Sequence, residues 1–348
     1  TMYLCPEATL LSKDNNASLM QAMIAQSSSM QTAISLLDVI GGNNPDLVTY
    51  MNDITSFRNN TGTAGLDYGV SYYPFLITTV MQSQDMGYKN LFGGDLKKLG
   101  SIINPASNPD EKVEKVLSAI ENGKLTPKEG NNTLLTISKT YQYIMEDVLK
   151  NANTLPASGG MAGVITTVDN QRGVWRAPAN VSIVSVANLT INLNDHQQEA
   201  LNVDAMSGKS INAIRSFPGQ GILVWGARTL DGNSPDWRYI NARRTATFLE
   251  QSCKLALHAF VFNPNVANTW TAAKSMIESF LQDIWKEGGL QGEKTADAFS
   301  VACGLGSTMT AEDILEGKMI VSIKVAINHP AEFIVITIEQ EMQSGEQK

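Results

Sequence analysis

Residues 220–244 read QGILVWGARTLDGNSPDWRYINARR. An apolar strand, ILVW, runs into a loop that holds a second tryptophan and four arginines, Arg228, Arg238, Arg243 and Arg244, with Arg215 just ahead. Interleaved with Trp225, Trp237 and Tyr239, these guanidinium groups have the composition of a platform for single-stranded bases. They equally have the composition of a structural cluster, planar cations packed on aromatic rings and paired with carboxylates at a domain or subunit boundary. The background charge favours the second reading. The chain carries 26 basic against 34 acidic residues, a net charge of -8, and no lysine- or arginine-rich run. That balance is poor for holding duplex DNA or an anionic membrane.

Length and composition allow about two domains: 348 residues, 43% hydrophobic and 17% charged. Cys5, Cys253 and Cys303 are too scattered for a disulfide framework and fit buried thiols in a reducing compartment. Sequons begin at Asn16, Asn59, Asn131, Asn180 and Asn188 without a secretory leader ahead of them, and are expected to be chance. No apolar run is long enough to span a bilayer as a helix. The chain opens at Thr1 directly into strand-like text, so an N-terminal arm is expected to be missing.

Upstream of the opening stretch the text alternates. TMYLCPEATLL reads as a strand, then a helix follows with Leu19, Met20, Met23 and Ile24 on one stripe behind Asp14 as cap. AISLLDVI is a second strand, a helix with Leu47, Val48, Met51, Ile54 and Phe57 starts at Pro45, and YGVSYYPFLITTV is a third strand. Near-continuous apolar strands alternating with helices predict a parallel sheet covered on both faces. Residues 84–157 read as a helical insertion with two helices, around Val113–Ile120 and Leu134–Val148, followed by a loop, NTLPASGGMAG. VSIVSVANLTINL is strand-like again. A second unit, 236–348 after 1–235, holds a helix from Tyr239, a strand HAFVFNP, a helix Trp270–Glu287, a strand AFSVAC, a one-turn helix and two final strands. In the Trp270–Glu287 helix, Trp270, Ala273, Ile277, Phe280, Leu281 and Ile284 form the buried stripe, Asn268 or Thr269 caps the start, and Gly288 ends it.

Catalytic and ligand motifs are weak. VDAMSGKS ends like a phosphate loop but has Val203 where the first glycine must let the chain curl. His196, His258 and His329 lack metal-ligand spacing, and no G-x-S-x-G elbow occurs. The expectation is no catalytic residue, no metal and no cofactor. The last strand is different in kind. In EFIVITIEQ, Ile334, Ile336 and Ile338 point to one face and Phe333, Val335 and Thr337 to the other. A strand apolar on both faces belongs inside a sheet, yet it lies almost at the chain end, where an unpaired edge invites aggregation.

Several blocks in order, PASGGMAGVITTVDNQRGVWRAPAN, GILVWGARTL, WRYINARR, FVFNPN, TW, FLQDIW, EGGLQG, AFSVAC, TMTAEDI and HPAEFIV, resemble the contractile tail sheath proteins over roughly Leu155–Glu341. The first half resembles them more loosely, through its strand–helix–strand start and YGVSYYP. The resemblance implies an α/β plus α+β architecture: a subtilisin-like domain without a protease site, then a C-terminal domain whose sheet is completed by strands of neighbouring subunits. It implies a subunit of a helical homo-polymer, in stacked hexameric rings around an inner tail tube, with baseplate and cap proteins at its ends. The particle would assemble in the bacterial cytoplasm as part of a phage tail or an extracellular contractile device, with no nucleic-acid partner and no membrane insertion. Phe333, Ile334, Val335, Ile336, Thr337, Ile338 and Glu339 would be donated to a neighbour; Lys274, Glu278 and Lys286 would face the tube; Trp225, Arg228, Trp237, Arg238, Arg243 and Arg244 would lie at the domain junction or at subunit contacts. Gly304 departs from the family, where an acidic residue often follows the AFSVAC strand. A subtilisin-like hydrolase and a single-strand-binding module are the competing readings.

Overall fold

A computed structural model describes residues 1–332. It divides into two compact units. The first contains Thr1–Gln171 and Pro178–Arg243; the second contains Arg172–Ala177 and the chain from Arg244 on.

The first unit starts with β1 (Met2–Leu4), cut short by the 3-10 turn Pro6–Leu10, whose proline cannot donate to a ladder. α1 (Lys13–Met30) is capped by Ser12, two residues before the expected Asp14, and buries Met20 and Ile24. β2 (Ile34–Asp38), α2 (Tyr50–Asn60) and β3 (Gly69–Tyr73) follow, and both strands are buried at every position. Side chains alternate across a strand, so β2 sends Ile34 and Leu36 to one core and Leu37 to the other, where Val39 joins it. This is why the strand text is apolar throughout: each sheet face is covered.

Pro74 divides the expected third strand. Beyond it, β4 (Leu76–Thr78) enters a separate three-stranded sheet, and the chain passes into the helical insertion. That insertion has four helices rather than two: α3 (Leu96–Ile103), α4 (Glu111–Glu121), α5 (Pro127–Ile137) and α6 (Lys139–Ala152). The run read as one helix breaks at Ser138, which takes extended torsions and caps α6 through Tyr141 N. Leu99, Leu134 and Tyr141 form a core of the insertion's own. Asn153 clasps its two ends, accepting from Met81 N at 2.9 Å and donating to Met81 O at 2.9 Å.

After β5 (Thr154–Leu155), the expected glycine loop is instead α7 (Ala157–Arg172). Gly160 permits close packing: a Cβ there would stand 3.0 Å from Leu76 Cδ1. Met161, Ile165 and Val168 pack into the same core as Ile34 and Leu36, while α1 and α2 pack into the other. The strand-like VSIVSVANLTINL divides into β6 (Val181–Ser182) and β7 (Val186–Leu189), which join different sheets; Ser185 between them has a φ of +61°. α8 (Asp195–Asn202), β8 (Asn212–Phe217) and β9 (Gly221–Trp225) complete a sheet of order β1-β2-β3-β8-β9-β6. The pairs from β1 to β8 are parallel; β9 and β6 add antiparallel pairs.

α9 (Ile240–Leu257) gives its first residues to the first unit and the remainder to the second. In place of the expected strand HAFVFNP there is a 3-10 turn, His258–Phe260, and an exposed bend. α10 (Ala267–Lys286) buries Ala273, Ile277, Leu281 and Ile284 of the expected stripe and leaves Trp270 and Phe280 half-buried, and Gly288 follows it at φ +80°. Its start has no side-chain cap, since Thr269 Oγ1 donates to Pro264 O instead. α11 (Thr295–Ala298), β10 (Phe299–Ala302), α12 (Ala311–Leu315) and β11 (Ser322–Val325) follow. β10 and β11 form a two-stranded antiparallel sheet, Phe299 opposite Val325, against a core of Leu249, Cys253, Ile277 and Leu281. Gly304 occupies a tight turn whose carbonyl accepts from Thr308 N and Met309 N. The expected last strand, Phe333–Glu339, lies outside the described residues.

Candidate functional site

The arginines of residues 215–243 are built inward. Asn212, at the start of β8, donates to Ser71 O and Arg228 O and accepts from Arg228 N at 2.7 Å, which sews the loop after β9 to the sheet. Arg228, 6% exposed, lies over the Tyr239 ring at 5.9 Å. Arg238 shares that ring at 6.0 Å and donates to Ser234 O. Arg243 lies over Trp237 at 4.1 Å and Tyr68 at 4.7 Å, and its Nη1 meets Asp67 Oδ2 at 3.5 Å. A planar guanidinium tolerates this burial because its edge keeps donating while its faces stack.

Arg228, Trp237, Arg238 and Arg243 are thus brought together. Trp225 belongs to a separate group, tilted on Phe217 at 4.5 Å, with Arg215 over Phe217 and bonded to Asp195 and Gln198 at 2.7 Å each. Arg244 falls in the second unit, partly buried. Sequence reasoning missed Asp67, Tyr68 and Asn212, the groups that fix the cluster; they lie far off in sequence and carry no motif. Arg228 and Arg243 are buried under protein rings and are not free to stack on a base, while Trp225 stays 38% exposed.

The GKS lysine is also turned inward. Lys209 Nζ donates to Arg58 O at the end of α2, and Arg58 Nη2 donates to Ala200 O and Leu201 O at the end of α8. Each cation neutralises carbonyls at a helix C-terminus, where the macrodipole is negative. Burial holds the Lys209 ammonium below its usual range.

Asp38 ends β2, 5% exposed, and its Oδ1 accepts from Ser158 N at 2.9 Å in the first turn of α7. Among the described residues its Oδ2 meets no hydrogen-bond partner. Burial pushes the carboxyl up to about 6, against the lowering effect of the Ser158 bonds. A hydrolytic serine needs a base in reach. His196 is exposed beside Glu199 instead, and His258 lies in the 3-10 turn of the second unit. Among the described residues no group of His, Cys, Asp or Glu could hold a metal ion, and no helix is long and apolar enough to cross a membrane.

In the second unit Lys274 pairs with Glu278 at 3.7 Å and Lys286 with Asp283 at 3.3 Å along the outer side of α10. The β10–β11 pair has no third strand among the described residues; just past β11, Ile327 bridges Leu290 and Gln291 N donates to Ala326 O at 2.8 Å.

A family model described as the phage tail sheath protein central domain matches residues 111–230, and one described as the phage tail sheath C-terminal domain matches residues 233–341. The tail sheath protein of Vibrio phage KVP40 is 26% identical over 163 residues, 46% of this chain and 24% of that protein. That of Burkholderia phage BcepMu is 25% identical over 205 residues, 57% of this chain and 40% of that protein. The chain therefore spans well under half the length of these curated relatives. Among solved structures, a chain of the anti-feeding prophage baseplate is 26% identical with a TM-score of 0.63, covering 95% of this chain and 66% of that one. A chain of the contracted PVC sheath complex, from an extracellular contractile injection system, is 27% identical with a TM-score of 0.60, covering 89% and 64%. Two adjoining sheath models in native order, sheath relatives and sheath-like folds converge: the chain belongs to the contractile tail sheath protein family.

Proposed function

We propose that the chain is the structural subunit of a contractile sheath, polymerising as a helical tube of stacked hexameric rings around an inner tube and contracting to drive that tube through a target envelope. The observation that carries this is the β10–β11 sheet. Among the described residues the sheet packs on its helices with only two strands and one bridge, Leu290 to Ile327, which leaves edge for a further strand, and the sequence that follows it, Phe333–Glu339, is apolar on both faces. Addition of strands from neighbouring copies completes such a sheet. About 4–6 main-chain hydrogen bonds at roughly 0.5–1.5 kcal/mol each make one junction worth several kcal/mol before side chains are buried. In this reading the first unit is a subtilisin-like scaffold without hydrolytic chemistry, and the work of contraction is strain stored in the lattice at assembly.

The outer side of α10, with Lys274, Glu278 and Lys286, faces the tube, and baseplate and cap proteins meet the two ends. Assembly takes place in the bacterial cytoplasm, before the particle leaves as a phage tail or a headless injection device. Electron microscopy of the purified full-length protein tests the reading. Hollow helical tubes support it; a protein that stays monomeric with its tube partner present overturns it. Reversing Lys274 and Lys286 to Glu tests the tube-facing helix separately: attachment and its salt dependence should weaken in extended particles, and unchanged attachment would remove the assignment.

A further inference from the structure

Phe262 is fully exposed, at 103%, and its backbone lies in the left-handed region at φ +67°. A bulky side chain is rarely held there, because Cβ crowds the following carbonyl. Water-facing phenylalanine gives nothing back for that strain in an isolated subunit. Yet the bend that imposes it is built firmly. Val261 N donates to His258 O and Asn263 N to Phe260 O, at 3.2 and 3.1 Å. Asn265 accepts from Trp270 Nε1 at 2.7 Å and donates to Lys318 O at 2.9 Å, and Thr269 Oγ1 fastens Pro264 O at 2.7 Å. Val261 and Val266 flank the ring in sequence, 57% and 50% exposed, and Leu255 is 68% exposed in the last turns of α9. Strain held by a rigid frame around an exposed aromatic is the pattern of a contact waiting for its partner.

We infer that Phe262 is an assembly knob that inserts into an apolar recess on a second copy of this chain; the inference rests on the sheath reading above. Charge selects the copy as occupant. The sequence has a net charge of -8, so copies repel one another on balance. From Leu255 to Ala273 the sequence has no Asp, Glu, Lys or Arg, so copies can close here without that penalty. A knob on one copy and a recess elsewhere on the next make a heterologous contact, which propagates as a helix instead of closing a dimer.

Two measurements on the full-length protein test this. Phe262→Gly relieves the left-handed strain and removes the exposed ring, so the subunit's Tm should stay level or rise while sedimentable tubes fall at least ten-fold. Wild-type-like tubes from Phe262→Gly, or a lowered Tm, would overturn the inference. A photo-reactive benzoylphenylalanine placed at position 262 and irradiated in assembled particles should then give an adduct joining peptides of two copies. An adduct to a different component, to the same copy, or none above the unassembled control would overturn it. Wild-type protein that forms no tubes would overturn the sheath reading itself, and this inference with it; tubes from Phe262→Gly overturn the inference alone.

Discussion

In the first unit, β2, β3 and β8 have a strand on either side, and the first two are buried at every position; in the second unit, β10 and β11 pair with each other, and one bridge from Leu290 to Ile327 extends them among the described residues. The arginine cluster of the first unit is folded onto its own rings and carboxylate, with Arg228 and Arg243 at 6% and 5% exposure. Exposed apolar side chains occur in both units, Leu10, Val48, Val184 and Met206 in the first and Leu255, Val261, Phe262, Leu305 and Leu315 in the second. Surface apolar side chains occurring singly need no explanation, so the contrast rests on the sheets and on the arginine cluster. We read the contrast as a division of labour. The first unit closes its main sheet and its arginine cluster within the chain, and the second leaves its strand pair for neighbours to extend.

The largest test removes the sequence proposed to cross between copies. Full-length protein ending at His329 should keep its circular dichroism and melting transition and lose tubes entirely by negative stain. A chain that no longer folds would mean that Phe333–Glu339 completes its own unit, and the contrast would collapse. The next test attacks the first unit from inside. Arg243→Ala leaves Asp67 without that guanidinium and strips the faces of Trp237 and Tyr68. The expected loss is about 3 kcal/mol in denaturant unfolding, within the range for breaking a buried pair. Loss of assembly with unchanged stability would make Arg243 a subunit contact, not an internal tie.

Asp38 gives a smaller effect of opposite sign. Its folded carboxyl is raised from 3.8 to about 6, so the folded state binds the proton more tightly than the unfolded chain. Its contribution therefore favours folding at low pH and is lost as pH rises through about 4 to 6, costing up to about 3 kcal/mol once ionised. Asp38→Asn should raise stability at pH 8 and change little at pH 4, which paired melting curves will show. Smallest are the glycines of α7. A Cβ at Gly163 meets nothing within 4 Å, so Gly163→Ala should gain about 0.5–1 kcal/mol from helix propensity. At Gly160 the same change presses on Leu76 and Ile183 at 3.0 and 3.3 Å, and the gain should vanish or reverse in thermal unfolding.

What the sequence made legible, and what it hid, follows the physics of each signal. The runs ISLLD and GVSYY were readable as two-sided strands because burial on both faces leaves a continuous apolar mark. The stripe of α10 was readable because its period survives in Ala273, Ile277, Leu281 and Ile284. The arginine and tryptophan residues stood out, but their partners Asp67 and Tyr68 did not, since a contact across 176 positions leaves no local trace. α7 was hidden by glycines inside the helix, of which Gly160 serves close packing and none makes a turn. HAFVFNP was misread because its apolar residues follow strand composition while Phe262 and Val261 face water. Pro74 was visible all along; its effect, dividing one apolar run between two sheets, depended on a topology that no short window contains.

The most direct measurement of the central claim is amide hydrogen exchange on the same protein as free subunit and as assembled tube. The account predicts that amides of β10 and β11 exchange quickly in the free subunit and gain at least a hundred-fold protection in the tube, while those of β2 and β3 are equally protected in both. Strong protection of β10 and β11 already in the free subunit, unchanged on assembly, would contradict it.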